Sequence, residues 1–278
     1  MIKVVLVRFD GSPSDDFRFA AAESLAKLFD AHVEGLFFNL LPEPILAEQN
    51  MSTELWTRML QEAHDTGDEI ERRLRKRLAG LVRSHDLRRF DVYPHERPVI
   101  ASREARTADV FVGLRLSDTD AFVELRDVIE EVLFDSGRHL FLVVDQQPYE
   151  QGFDHALVAW NGSREASRAL AEARPYLRKA RMVTVLTVGR KDDLPEMAAR
   201  PGEAVVRYLA HHGIPSSHEH VEGRGIDAAT VITTEVGEKK VDLLVMGGYG
   251  HSRIREWLLG GTTYKLLRRA PVSLVIAH

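Results

Sequence analysis

The chain has no cysteine among its 278 residues. That excludes disulfides, thiolate zinc sites and cysteine nucleophiles. It has no apolar run near the ~18 residues a membrane-spanning helix needs, and the N-terminal stretch reaches Asp10 too soon for a signal peptide. The expectation is a cytoplasmic protein with no membrane partner. Neither sign of charge is in large excess: 37 Lys and Arg stand against 42 Asp and Glu, which gives no electrostatic footprint for nucleic acid. The Walker pattern Gly-x-x-x-x-Gly-Lys-Ser/Thr is missing. So is the Gly-x-Ser-x-Gly nucleophile elbow, since Ser136 sits in Asp-Ser-Gly-Arg. What remains is a globular composition, 44% hydrophobic and 28% charged, in a chain long enough for two domains.

A repeat is present, and it organises everything else. Ile2–Gly11 (IKVVLVRFDG) and 154–163 (DHALVAWNGS) are both a short apolar run, a turn carrying Asp or Asn followed by Gly-Ser, and then an amphipathic helical pattern. A second apolar run follows in each copy, Val33–Phe38 and Met182–Val188. A later one follows again, Asp109–Gly113 and Asp242–Gly247, and each copy closes on a last run, Leu140–Val144 or Val272–Ile276. The copies differ mainly after the second run, where the first carries 39–89 and the second only 189–216. The excess includes a long charge-faced helical pattern from about Thr53 to Val82. The polar stretch Gln146–Gly152, with a Pro and a Gly, reads as a linker.

Continuous apolar runs alternating with helices predict parallel strands covered on both faces. The fold class expected is α/β: two tandem doubly wound, open, parallel five-stranded sheets with helices on both faces, in domains 1–147 and 153–278. Ligands of such sheets bind beyond the carboxyl ends of the strands. That directs attention to Asp10 and Asn161, to Gly113 and Gly247, and to the loops after them.

The segment from Met246 onward holds Gly247, Gly248 and Gly250 directly after a strand, then nine residues, then Gly260-Gly261-Thr262-Thr263 opening a helix. Glycines allow positive φ and close approach of the backbone to a ligand, and consecutive N–H groups in such a turn can cradle an anion. The helix start adds free N–H donors and a favourable dipole. Two such features suit a chain of phosphates. The bland alternative is that the glycines only permit tight strand-to-helix turns, and the residues alone leave both open.

On these residues the chain resembles the universal stress protein family, in its tandem two-domain form. The family pattern of Gly, two residues, Gly, nine residues, Gly, then Ser or Thr is matched by Gly247, Gly250 and Gly260, with Gly261 intervening before Thr262. The resemblance implies that Asn161 takes the place of the family's first-strand Asp, and that Val188 packs near adenine. It implies a cytoplasmic stress-response protein binding ATP, with or without Mg, through the second domain. The residues so assigned are Asn161, Val188, Met246, Gly247, Gly250, His251, Arg253, Gly260, Gly261 and Thr262. It also implies association through the last strand: pairing of the two copies through Leu140–Val144 and Val272–Ile276, both expected at sheet edges, and a homodimer of chains. The first copy lacks the loop, having Leu116 where the second glycine would stand and Asp118, Asp120, Glu124 and Asp127 where phosphates would lie. Its site is expected to be degenerate.

Three functions compete: a nucleotide-binding regulator, a scaffold of the same fold that binds no nucleotide, and an enzyme of the related adenine-nucleotide α-hydrolase-like class. The third has no visible catalytic constellation, leaving slow ATP hydrolysis at most. Lesser signals are a Gly-x-Gly-x-x-Ala stretch at 223–228, read as a turn into a helix, and His211, His212, His218 and His220, read as a solvated strand edge and not as a metal site.

Overall fold

The computed structural model describes residues 1–43, 52–81, 83–115, 122–144, 149, 151–189, 201–250 and 261–278. Strands and helices alternate. The order is β1 (Val4–Phe9), α1 (Asp15–Phe29), β2 (His32–Leu40), α2 (Thr53–Leu78), β3 (His85–Val92), α3 (Arg97–Ala105), β4 (Val110–Leu114), α4 (Phe122–Asp135) and β5 (His139–Val143). It continues with β6 (Phe153–Ala159), α5 (Arg164–Leu177), β7 (Ala180–Val188), α6 (Pro201–His211), β8 (Ser217–Val221), α7 (Ala228–Glu238), β9 (Leu243–Gly247), α8 (Thr262–Arg269) and β10 (Ser273–Ala277). The residues gather into two compact units, a first of Met1–Gly113 and Val123–Arg138 and a second that includes His139–His278. No helix of the described residues is long and apolar enough to cross a membrane.

In the first unit four strands lie in the order β3-β2-β1-β4, all parallel. In the second the order β10-β9-β6-β7-β8 is likewise parallel. The α/β class and the mostly parallel sheet are as expected. Strands such as Val4–Phe9 are rich in Val and almost wholly buried, which is what helices on both faces demand. From β6 the chain adds β7 and β8 on one side and β9 and β10 on the other, so a crevice opens between β6 and β9 at the carboxyl ends of the strands.

Two expectations need correction. Ser273–Ala277 is not an edge strand: β9 runs parallel on one side of it, and β5 runs antiparallel on the other with Leu142 opposite Leu274. Its expected open edge is filled by β5, which takes in most of the Leu140–Val144 run, so backbone groups that an apolar edge strand would leave exposed are paired. The stretch read as a polar linker is also partly core. Tyr149 is buried, donates to or accepts from Ser273 through its hydroxyl, and packs its ring on Phe141 and Phe153. Tyr176 completes this aromatic cluster and meets the buried His139 at 2.8 Å.

Candidate functional site

Four segments build the crevice in the second unit. β6 ends at Ala159, and the turn after it is closed by Asn161, whose Oδ1 accepts the Ser163 N–H at 3.1 Å. Ser163 then caps α5, its Oγ accepting the Ala166 N–H at 3.1 Å. An Asx turn running into a Ser cap is what Asn-Gly-Ser encodes. β9 delivers Gly247 against this helix start: a Cβ built there would stand 2.4 Å from the Ala166 nitrogen. Last, α8 opens at Thr262 with Gly261 as its cap, a residue with no side chain to accept from the first turn. Its leading N–H groups therefore have no partner within the helix.

The glycine loop itself is arranged differently from the expectation. Among its described residues the left-handed conformation belongs to Tyr249 (φ 55°), not to a glycine. The Gly248 N–H donates to the Ala277 carbonyl at 2.8 Å, and the Tyr249 N–H to Thr263 Oγ1 at 3.0 Å. These two donors are spent on holding the loop to β10 and α8. They do not form an open row of N–H groups. Thr262 and Thr263 at the α8 start line the crevice.

A cavity of about 150 Å³ lies between these segments. Leu186, Val188, Ala228, Ile232 and Met246 line it with apolar surface, while Asn161, Ser163, Gly250, Thr262 and Thr263 give it a polar side. Trp160 also lines it, and its buried Nε1 has no hydrogen-bond partner among the described residues. An indole N–H can only donate, so an acceptor in the cavity would satisfy it. Beside Gly250 lies the buried carboxylate of Glu165; a Cβ at Gly250 would meet its Oε2 at 3.0 Å and Ser163 Oγ at 3.5 Å. Burial opposes ionisation of Glu165, but its own backbone N–H, Arg164 and Ser163 outweigh that and hold it below the usual carboxylate range.

The structure brings together Asn161, Val188, Met246, Gly247, Gly250 and Thr262 around this one cavity, with Gly261 next to it as the α8 cap. His251, Arg253 and Gly260 lie outside the described residues. Sequence reading singled out Thr263 only as part of the helix start, and it missed Trp160, Ser163, Leu186, Ala228 and Ile232 as lining residues. Nothing in the sequence marks Trp160 or Ile232, and Ala228 stands out only as the end of the Gly-x-Gly-x-x-Ala stretch. The stretch 223–228 is a turn into α7, with Arg224 and Gly225 at positive φ and Asp227 capping the helix through the Thr230 N–H. His218 and His220 both hydrogen-bond the Thr187 hydroxyl, at 2.9 and 3.0 Å.

At the matching place in the first unit the chemistry differs. Asp10 closes its turn as Asn161 does, accepting the Ser12 N–H at 3.0 Å, but it is also held by Arg18 at 2.9 Å. Burial alone would raise Asp10, yet Arg18 and then Arg8 keep it far below the usual carboxylate range. Asp15 pairs with Arg18 as well and is pushed up, chiefly by burial. The extra helix α2 lies over this end of the unit, with Ile70 against Gly11 and Gly67 against Asn39. Leu116, Asp118 and Asp120 lie outside the described residues, and Glu124 is described only through its backbone.

Comparison with known proteins agrees with this architecture. Residues 152–278 match the universal stress protein family. Universal stress protein Slr1230 of Synechocystis sp. is 32% identical over 91 residues, which is 33% of this chain and 30% of that protein. The match thus spans under a third of the relative's length. A universal stress protein from Archaeoglobus fulgidus shares the fold over 99% of this chain and 95% of its own, with a TM-score of 0.74 at 19% identity. A functionally unknown protein from Pseudomonas aeruginosa, PA1789, does so over 99% and 92%, with a TM-score of 0.58 at 14% identity.

Proposed function

Residues 152–278 belong to the universal stress protein family of stress-response proteins, and we propose that in this chain they bind an adenine nucleotide, ATP, as a regulatory input. The observation that carries the reading is the composition of the cavity wall. One side, from Leu186 to Met246, is apolar and suits a flat base. The other ends in the α8 start, whose leading N–H groups have no acceptor within the helix and whose dipole favours phosphate. Asn161 lines the same cavity, and its amide is a partner for a sugar hydroxyl. Trp160 Nε1 offers a further donor to an acceptor on the ligand.

Glu165 favours a second reading. An ionised carboxylate beside Gly250 repels phosphate, and the Gly248 and Tyr249 donors are already used. On that basis the unit would be a scaffold that holds no nucleotide. A Mg ion reconciles the two, because it is usually held by one or two carboxylates together with substrate phosphates, and Glu165 supplies such a carboxylate. Mass spectrometry of small molecules released from the purified full-length chain tests the proposal. An adenine nucleotide near one per chain is expected; none, together with no uptake of added ATP and Mg at millimolar concentration, would leave the scaffold.

A further inference from the structure

We propose that the first unit carries a second ligand site, for a small organic or inorganic oxyanion, built around Arg8. A cavity of about 220 Å³ lies at the ends of β1 and β2, closed by α2 and α3. Arg8, Asp10, Phe38, Asn39, Thr66 and Arg97 line it. By the repeat, Arg8 stands where the second unit has Ala159, and Phe38 where it has Val188. A guanidinium and a phenyl ring thus replace two small residues of the nucleotide cavity. The pocket that results is not a nucleotide site that has merely decayed.

Arg8 is 7% exposed, yet its ion pairing is poor. Its one acceptor among the described residues is Asp10 at 3.4 Å, and that carboxylate is held more closely by Arg18, at 2.9 Å. The Arg8 Nε is buried with no hydrogen-bond partner among the described residues. Asp15, the other carboxylate acting on Arg8, is committed to Arg18 and to the Gly11 N–H at 2.8 Å. A buried cation with one long, shared ion pair is costly, and a second guanidinium, Arg97, lines the same cavity. Burial, chiefly, pushes Arg8 down to about 10; Asp10 opposes this, while Arg18 and Arg97 add to it. An oxyanion is the group that supplies what Arg8 lacks, since a carboxylate or phosphate can accept two guanidinium hydrogens at once. Phe38 offers an apolar wall for the body of an organic anion, and Thr66 and Asn39 offer polar groups at its side.

Helix α2 is what makes this a pocket. Thr66 comes from its middle, and Gly67 beside it lets the helix settle onto Asn39, where a Cβ would be 2.5 Å from the side-chain amide. The extra segment of the first copy therefore forms one wall of the new site.

The test uses the full-length protein and two probes, sodium benzoate and inorganic phosphate, titrated by calorimetry against chloride at equal ionic strength. Binding of benzoate alone assigns an organic carboxylate, and binding of phosphate alone assigns a phosphate-bearing ligand. Either should weaken at least tenfold in Arg8→Gln, whereas ATP binding by the second unit should not change. Arg8→Lys, which keeps the charge but loses the fork, should fall between and serves if Arg8→Gln does not fold. Wild type that binds neither probe at millimolar concentration, or Arg8 variants that bind as well as wild type, would overturn the proposal and leave Arg8 a structural cation.

Discussion

A methyl group added at Gly247 would stand 2.4 Å from the Ala166 nitrogen and 2.5 Å from the Glu165 carbonyl carbon, both backbone atoms of the α5 start. At Gly250 the nearest neighbours are side-chain atoms, Glu165 Oε2 and Ser163 Oγ, and the residue is exposed. The two glycines of one loop therefore have separable roles. Gly247→Ala should destabilise the chain by roughly 1–3 kcal/mol, the usual cost of overpacking. Gly250→Val should leave the urea midpoint close to wild type and lower ATP affinity at least tenfold, which requires only ~1.4 kcal/mol. Unfolding and binding curves on both variants check this; equal losses in both, or a Gly247→Ala chain as stable as wild type, would contradict it. The spacing of these glycines was legible in the sequence. What packs on each Cα was not, because spacing carries no information about the neighbouring helix. Trp160 escaped for a related reason: an aromatic ending an apolar run reads as core until its Nε1 is seen to lack an acceptor.

Among the elements, α2 shows where sequence and structure part. The insertion between 39 and 89 and its helical pattern could be read directly, and the helix spans Thr53–Leu78. Its place in the first unit could not, because its face is charged and few of its residues are buried: Gly67, Leu74 and Leu78. What positions it is a set of specific contacts, Ile70 on Gly11, Gly67 on Asn39, and Asn39 to Asp91 at 2.6 Å. Gly67→Ala makes a sharp test. In an exposed helix the change would stabilise by ~1 kcal/mol through propensity. Here the new Cβ would meet the Asn39 side chain, and net destabilisation in chemical unfolding is expected. A gain of stability would mean that α2 does not rest on Asn39.

For the molecule as a whole, the repeat in the sequence predicted the α/β class, a parallel sheet and the end of the sheet to examine. It showed that the first copy has an insertion and lacks the glycine loop, but not what stands at the matching place, which depends on Arg8, Arg18 and the seat of α2. In the first unit a guanidinium replaces Ala159 and a phenyl ring replaces Val188, and Asp10 is tied to Arg18. In the second the crevice between β6 and β9 is lined by small and apolar residues and faces the α8 start. The central claim is that this asymmetry limits the chain to one nucleotide. Calorimetric titration of the nucleotide-free full-length chain with ATP and Mg tests it most directly. One site per chain, lost or weakened at least tenfold in Gly250→Val, is the predicted result; two equivalent sites, or no binding at millimolar ATP, would contradict it.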